Sequence, residues 1–112
     1  MGKRVLVCGG RNYKDWDAIE RWLSPMPISF LIEGGASGAD YMARQWAVRH
    51  GVPFETYEAD WEKHGRAAGP IRNRQMLEEG KPDVVLAFPG GRGTADMVRA
   101  AQAAGVDVLL VS

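Results

Sequence analysis

The run Phe88-Pro89-Gly90-Gly91-Arg92-Gly93-Thr94 follows an apolar stretch ending Val84-Val85-Leu86-Ala87 and precedes a helix-like stretch that begins near Ala95. Residues of these types at such a junction bind anions. Glycines let backbone N–H groups approach a phosphate, and the following helix directs the positive end of its dipole to the same point. Two more runs repeat the pattern: Val7-Cys8-Gly9-Gly10-Arg11 after the first apolar stretch, and Glu33-Gly34-Gly35-Ala36-Ser37-Gly38-Ala39-Asp40 after the second. Three glycine-rich turns after three strand-like runs point to one composite site.

Charge for that site is available in the segment Trp61 to Met76, which carries Lys63, His64, Arg66, Arg72 and Arg74. An arginine suits a phosphate because its planar fork makes two charge-assisted hydrogen bonds. Arg72 and Asn73 are the favoured pair, since Gly69-Pro70 fixes the backbone ahead of them and a proline commonly opens a helix. Lys63, His64 and Arg66 read as ordinary surface charge. Trp61 is placed to stack on a base, with core or lid packing as the alternative. Ser37 has no histidine base near it in sequence, so a hydrogen bond to phosphate suits it better than a nucleophilic role. Asp40 opens a helix and serves either as a cap or as a contact to a ribose hydroxyl. Cys8 reads as a small apolar residue at the end of a buried strand, and His50 as a dipole partner near a helix end.

These residues must be positioned by strands and helices. The runs Val5-Leu6-Val7, Phe30-Leu31-Ile32, Val84 to Phe88 and Val108 to Val111 lack polar alternation and read as parallel strands buried on both faces. Ala39, Met42, Ala43, Trp46 and Ala47 follow the spacing of a core-facing helix, as do Trp16, Ile19 and Leu23. Gly51-Val52-Pro53 closes the second helix, Phe54 to Tyr57 reads as an edge strand, and a last helix runs from about Thr94 to Ala104. The order is that of an α/β protein: a Rossmann-like, doubly wound, five-stranded parallel sheet flanked by helices. In such sheets ligands bind beyond the carboxyl ends of the strands, where strand order reverses. The three turns become neighbours if the first strand is central with the second and fourth on either side.

With 112 residues, 46% of them hydrophobic, the chain fits one domain spanning residues 1–112. Fourteen Lys and Arg balance fourteen Asp and Glu, so total charge offers no long-range attraction to nucleic acid or to an anionic membrane. The single cysteine has no intramolecular disulfide partner, and no Cys/His metal pattern accompanies it. No signal peptide or apolar span is apparent, so the expectation is a cytoplasmic protein without metal, cofactor or membrane partner.

The motifs VLVCGGRNY, EGGASGAD, GRAAGPIRNRQM and FPGGRGTADM together resemble the SLOG superfamily, which groups the DNA-processing protein DprA with the Lonely Guy phosphoribohydrolases, and most closely its small YspA-related members. The resemblance spans nearly the whole chain. It implies a Rossmann-like fold that binds nucleotides or nucleotide-derived molecules at these turns. Lonely Guy enzymes remove the base from nucleoside 5′-monophosphates with an Arg and with the Glu of a PGGxGTxxE turn. Pro89, Gly90, Gly91, Gly93 and Thr94 match that turn, but Met97 occupies the Glu position. The Arg corresponds to Arg72 or, with a different alignment of the spacing, to Arg74; Arg72 is preferred. A thioether cannot activate water as a carboxylate does. Asp96 is adjacent but is turned about 100° around the helix.

The resulting expectation is a module that binds a phosphorylated, nucleotide-derived small molecule. Gly90, Gly91, Gly93 and Thr94 would hold phosphate with Arg72, and Pro89 and Asn73 are further ligand-binding candidates. Gly9, Gly10, Arg11 and the turn Gly34, Gly35, Ala36, Ser37, Gly38 and Asp40 would hold the ribose or base side, with Trp61. The alternatives are a nucleotide N-glycosidase with Arg72 and Asp96 as catalytic residues, and a DprA-like binder of single-stranded DNA, against which the neutral charge and lack of a basic stripe count. Related SLOG proteins often dimerise. A homodimer through an apolar helix face is a further expectation, suggested by Trp22, Trp46 and several methionines, without the face being located.

Overall fold

The computed structural model describes residues 2–112. Four consecutive buried residues, Val5 to Cys8, make strand β1 (Lys3–Cys8) the centre of the molecule. Around it lie α1 (Trp16–Leu23), β2 (Ile28–Glu33), α2 (Ala39–His50), β3 (Phe54–Thr56), α3 (Trp61–His64), a 3-10 turn (Gly65–Ala67), α4 (Ala68–Gly80), β4 (Val84–Ala87), α5 (Arg92–Ala103) and β5 (Asp107–Leu110). All strand pairs are parallel, in the order β3-β2-β1-β4-β5. Leu6 stands beside Ile32 on one side and Val85 on the other. The condition for a composite site is therefore met: β1 is central and β2 and β4 flank it.

Successive strand side chains point to opposite faces, and they build two core layers. On one face Val5, Val7, Leu31 and Leu86 pack with Ile19 and Leu23 of α1 and Met42 and Trp46 of α2. On the other, Leu6, Ile32 and Val85 pack with Met76 of α4 and Met97 and Ala101 of α5. Burial on both faces holds for β4 and for the carboxyl halves of β1 and β2. It fails for β5, where Leu109 and Leu110 are 41% and 67% exposed. The physical reason is that β5 pairs only with β4 and forms the sheet edge.

Other expectations shift in detail. Trp16 stays exposed while Ile19 and Leu23 are buried. Trp46 lies in the core and donates its indole N–H to Ser24 Oγ at 3.1 Å, and Trp22 packs half-buried against the same cluster, so these two tryptophans do not form an open interface. Helix α5 starts at Arg92, two residues before Thr94, because Gly91 already acts as its N-cap. Pro70 sits in the first turn of α4, where a missing N–H costs no helical bond. No helix among the described residues is long and apolar enough to cross a membrane.

Candidate functional site

The three glycine turns meet at the carboxyl edge of β2, β1 and β4 and bond to one another. Gly10 N–H donates to Pro89 O at 2.8 Å, and Ala39 N–H donates to Gly10 O at 3.2 Å. Ser37 Oγ donates to Arg11 O at 3.2 Å. Several glycines exist for this turn-to-turn packing. A Cβ on Gly9 would lie 2.6 Å from Ala39 Cβ, and one on Gly90 would lie 2.6 Å from Gly10 N. Gly38 has φ +76° and presses on Gly10 and Arg11. Gly91 and Gly93 differ: a Cβ on either would meet nothing within 4 Å. These two open onto space.

That space is a cleft of two lobes sharing Arg11, Ala36, Trp61 and Arg72. One lobe, of about 590 Å³, adds Gly34, Gly35, Ser37, Glu58 and Ala59. The other, of about 630 Å³, adds Gly9, Gly10, Asp40, Asn73, Gly91, Gly93, Thr94 and Asp96, together with Cys8, Arg66, Gly69, Pro70, Met76, Arg92 and Arg99. Helix α5 opens into the second lobe with Gly91 as N-cap and no side chain capping it; its first bond runs from Ala95 N–H to Gly91 O at 3.0 Å. The N–H groups ahead of that bond have no helical partner and, with the helix dipole, suit an anion. Helix α2 lacks a side-chain cap too, but Gly10 O closes it by accepting from Ala39 N–H.

Asn73 links the cation to that helix end. It is 4% exposed; its Nδ2 donates to Asp96 Oδ2 at 3.0 Å and Gly93 O at 3.3 Å, and its Oδ1 accepts from Arg72 Nε at 3.0 Å. Arg72 reaches on to donate through Nη1 to Gly34 O, which spans the distance from α4 to the second turn. Burial lowers its pKa, while Asp40 opposes the shift. Arg72 Nη2 makes no hydrogen bond to the protein among the described residues. Arg74 is more exposed, does not line the cleft, and pairs with Asp96 at 3.4 Å. Arg72 is therefore the cleft arginine of the two.

Two carboxylates lie beneath the second turn. Asp40 does not cap its own helix; its Oδ2 accepts from Gly34 N–H at 3.1 Å and Ala36 N–H at 3.3 Å. Burial, and then the neighbouring Glu33, push its carboxyl up to about 7. Glu33 is fully buried, accepts from Gly35 N–H at 2.7 Å and from the Thr56 hydroxyl, and is also raised by burial. Sequence reasoning gave Glu33 no role; an acid ending a buried strand was the available signal. Burial, followed by Asp40, pushes the Cys8 thiol up to about 12, so it stays neutral.

Trp61 begins α3 and is 48% exposed, which removes the core alternative. Its ring lies 5.6 Å from the Arg11 guanidinium and borders both lobes. Met97 is fully buried against the sheet, whereas Asp96, one position earlier, faces the cleft. The turn that takes Asp96 away from the Met97 direction is the turn that brings it to the cleft.

Of the expected site residues, Gly38, Pro89 and Gly90 do not line the cleft; they hold the turns together. Arg66, read from sequence as surface charge, does line it, and so do Arg92 and Arg99, which sequence reasoning passed over. Positions 92, 96 and 99 share one face of α5 by helical spacing, and that was the missed signal.

The family model of YAcAr, the YspA, cpYpsA-related SLOG family, matches residues 3–64, from β1 to α3. Arg72 and the third turn lie beyond that match. The Gene 61 protein of Mycobacterium phage D29 is 44% identical over an alignment covering 96% of this chain and 94% of the relative. With one match fixed on the first two turns and the other running nearly end to end, the chain belongs to the YspA, cpYpsA-related SLOG family.

Proposed function

We propose that this protein binds a phosphorylated nucleotide or nucleotide-derived small molecule in the two-lobed cleft and acts as a sensor, carrier or sink for it. The observation that carries the reading is the uncapped start of α5, where Gly91 and Gly93 open into a lobe bordered by Arg72. Phosphate sits at that helix end; the nucleoside lies toward Trp61 and the smaller lobe, where the Trp61 face offers stacking and Glu58 accepts hydrogen bonds from hydroxyl or amino groups. Each lobe has the volume of a small-molecule site. Membership of a SLOG family supports a nucleotide-related ligand. Isothermal titration with nucleoside monophosphates, cyclic nucleotides and ADP-ribose tests the proposal. Saturable binding lost in Gly91→Val supports it, and no binding across the panel contradicts it.

A second reading has one observation in its favour: Asp96 faces the cleft although Met97 does not. A carboxylate there is placed to position water for N-glycosidic hydrolysis. Release of free base that disappears in Asp96→Ala makes the protein a glycosidase. Bound nucleotide recovered intact makes it a binding module.

A further inference from the structure

We infer that the ligand of this cleft carries two or more linked phosphates, an inference that rests on the nucleotide reading above. Five of the ten arginines in the chain, and none of its four lysines, line the larger lobe: Arg11, Arg66, Arg72, Arg92 and Arg99. They arrive from the first turn, the 3-10 turn, α4 and α5, so their convergence is a property of the fold rather than of one basic stretch.

The carboxylates on the same wall offset few of these charges. Asp40 is engaged by the N–H groups of Gly34 and Ala36, and Asp96 by Asn73 and by Arg74, which lies outside the lobe. Counting both as ionised, five guanidinium groups against two carboxylates leave an excess of three positive charges (5 − 2) around the larger lobe of a chain whose total charge is zero, and Glu58, which borders the smaller lobe beside Arg11 and Arg72, is the further carboxylate of the cleft. A monophosphate carries at most two negative charges and leaves part of that excess unanswered. A diphosphate or triphosphate answers it.

Geometry agrees with the charge count. Arg92 and Arg99 leave α5 at points about 10 Å apart along the helix axis, from a rise of about 1.5 Å per residue. A single phosphate at the start of α5 lies beside Arg92; a chain of phosphates extends toward Arg99. Exclusive use of arginine fits this purpose, because each planar fork binds two phosphate oxygens where an ammonium acts as a point charge. The walls are concave and enclose about 630 Å³, which suits a small polyanion better than an extended nucleic-acid strand.

The test uses the full chain with orthophosphate, pyrophosphate and tripolyphosphate, then AMP, ADP and ATP, and a single-stranded oligonucleotide, all titrated at one ionic strength. Pyrophosphate and tripolyphosphate are expected to bind at least tenfold tighter than orthophosphate, and ADP tighter than AMP by a similar factor. Arg99→Ala should shrink the ADP-to-AMP ratio severalfold, with Arg99→Lys intermediate, and thermal melts of both variants check that the fold is retained. Equal affinity for AMP and ADP overturns the inference and leaves the nucleotide reading standing. Binding of none of these anions overturns both. An oligonucleotide bound more tightly than tripolyphosphate overturns the inference in favour of nucleic acid.

Discussion

Arg72 is the side chain through which the cleft is most exposed to test. Its Nε is held by Asn73 and its Nη1 by Gly34 O, which leaves Nη2 for a ligand. Arg72→Ala should weaken ligand binding by about 1.5–3 kcal/mol, the range of a charge-assisted hydrogen bond. It should also lower the melting temperature modestly, since the links to Gly34 and Asn73 go with it. Titration calorimetry beside a thermal melt separates the two effects, and unchanged affinity contradicts the assignment.

Asp40 makes a prediction in pH. Its carboxyl ionises near the ordinary value of 3.8 in the unfolded chain but near 7 in the folded one, where burial and Glu33 disfavour the charge. Between those values the native state binds more protons, so the contribution is fully present below about pH 4 and is lost as pH rises through about 7. Asp40→Asn keeps a carbonyl acceptor for the N–H groups of Gly34 and Ala36. It should flatten the decline of stability across this window in denaturant titrations. A slope that Asp40→Asn leaves unchanged assigns the titration to another group.

Among the elements, the glycine turns separate into two kinds. Gly90 faces the backbone of Gly9 and Gly10 in the neighbouring turn and the Thr94 hydroxyl of its own, and Gly91 faces open space. Gly90→Ala should therefore destabilise the fold, by about 1–3 kcal/mol for an overpacked contact. A Cβ at Gly91 would meet no other part of the protein within 4 Å, so Gly91→Val should lose binding by filling the space of the anion, and a thermal melt beside the titration checks that the fold is kept. A Gly91→Val protein that binds normally moves the anion site elsewhere.

This division shows where the sequence stops being informative. Glycines at 9, 10, 90, 91 and 93 look alike in the chain and differ only in what the fold places opposite them. The apolar runs of β1, β2 and β4 identified the central strands because burial on both faces favours an unbroken apolar run. Val108 to Val111 is equally apolar, yet β5 is an edge; its exposure depends on a neighbour that is absent rather than on its own residues. Arg66 was indistinguishable from surface charge until the 3-10 turn placed it at the larger lobe. Asn73 stood out in the sequence as a candidate, but its two hydrogen bonds, to Asp96 Oδ2 and Gly93 O, needed α4 and α5 to be placed.

At the scale of the whole molecule, the strand order accounts for the site. Reversal of strand order at β1, with β2 laid on one side and β4 on the other, brings together three turns far apart in sequence, and the helices beyond them gather arginine into one concavity of a neutral protein. A ligand that binds the native state alone raises the melting temperature with its concentration. Compounds that bind the cleft should do so in the wild type and fail to do so in Gly91→Val.

The most direct test of nucleotide binding at the start of α5 is retention. Purified wild type and Gly91→Val are incubated with nucleoside mono- and diphosphates, cyclic nucleotides and ADP-ribose, desalted rapidly, and read by liquid chromatography and mass spectrometry. The account predicts at least one phosphorylated nucleotide retained intact by the wild type and absent from Gly91→Val. Retention of nothing, or equal retention by both proteins, contradicts it.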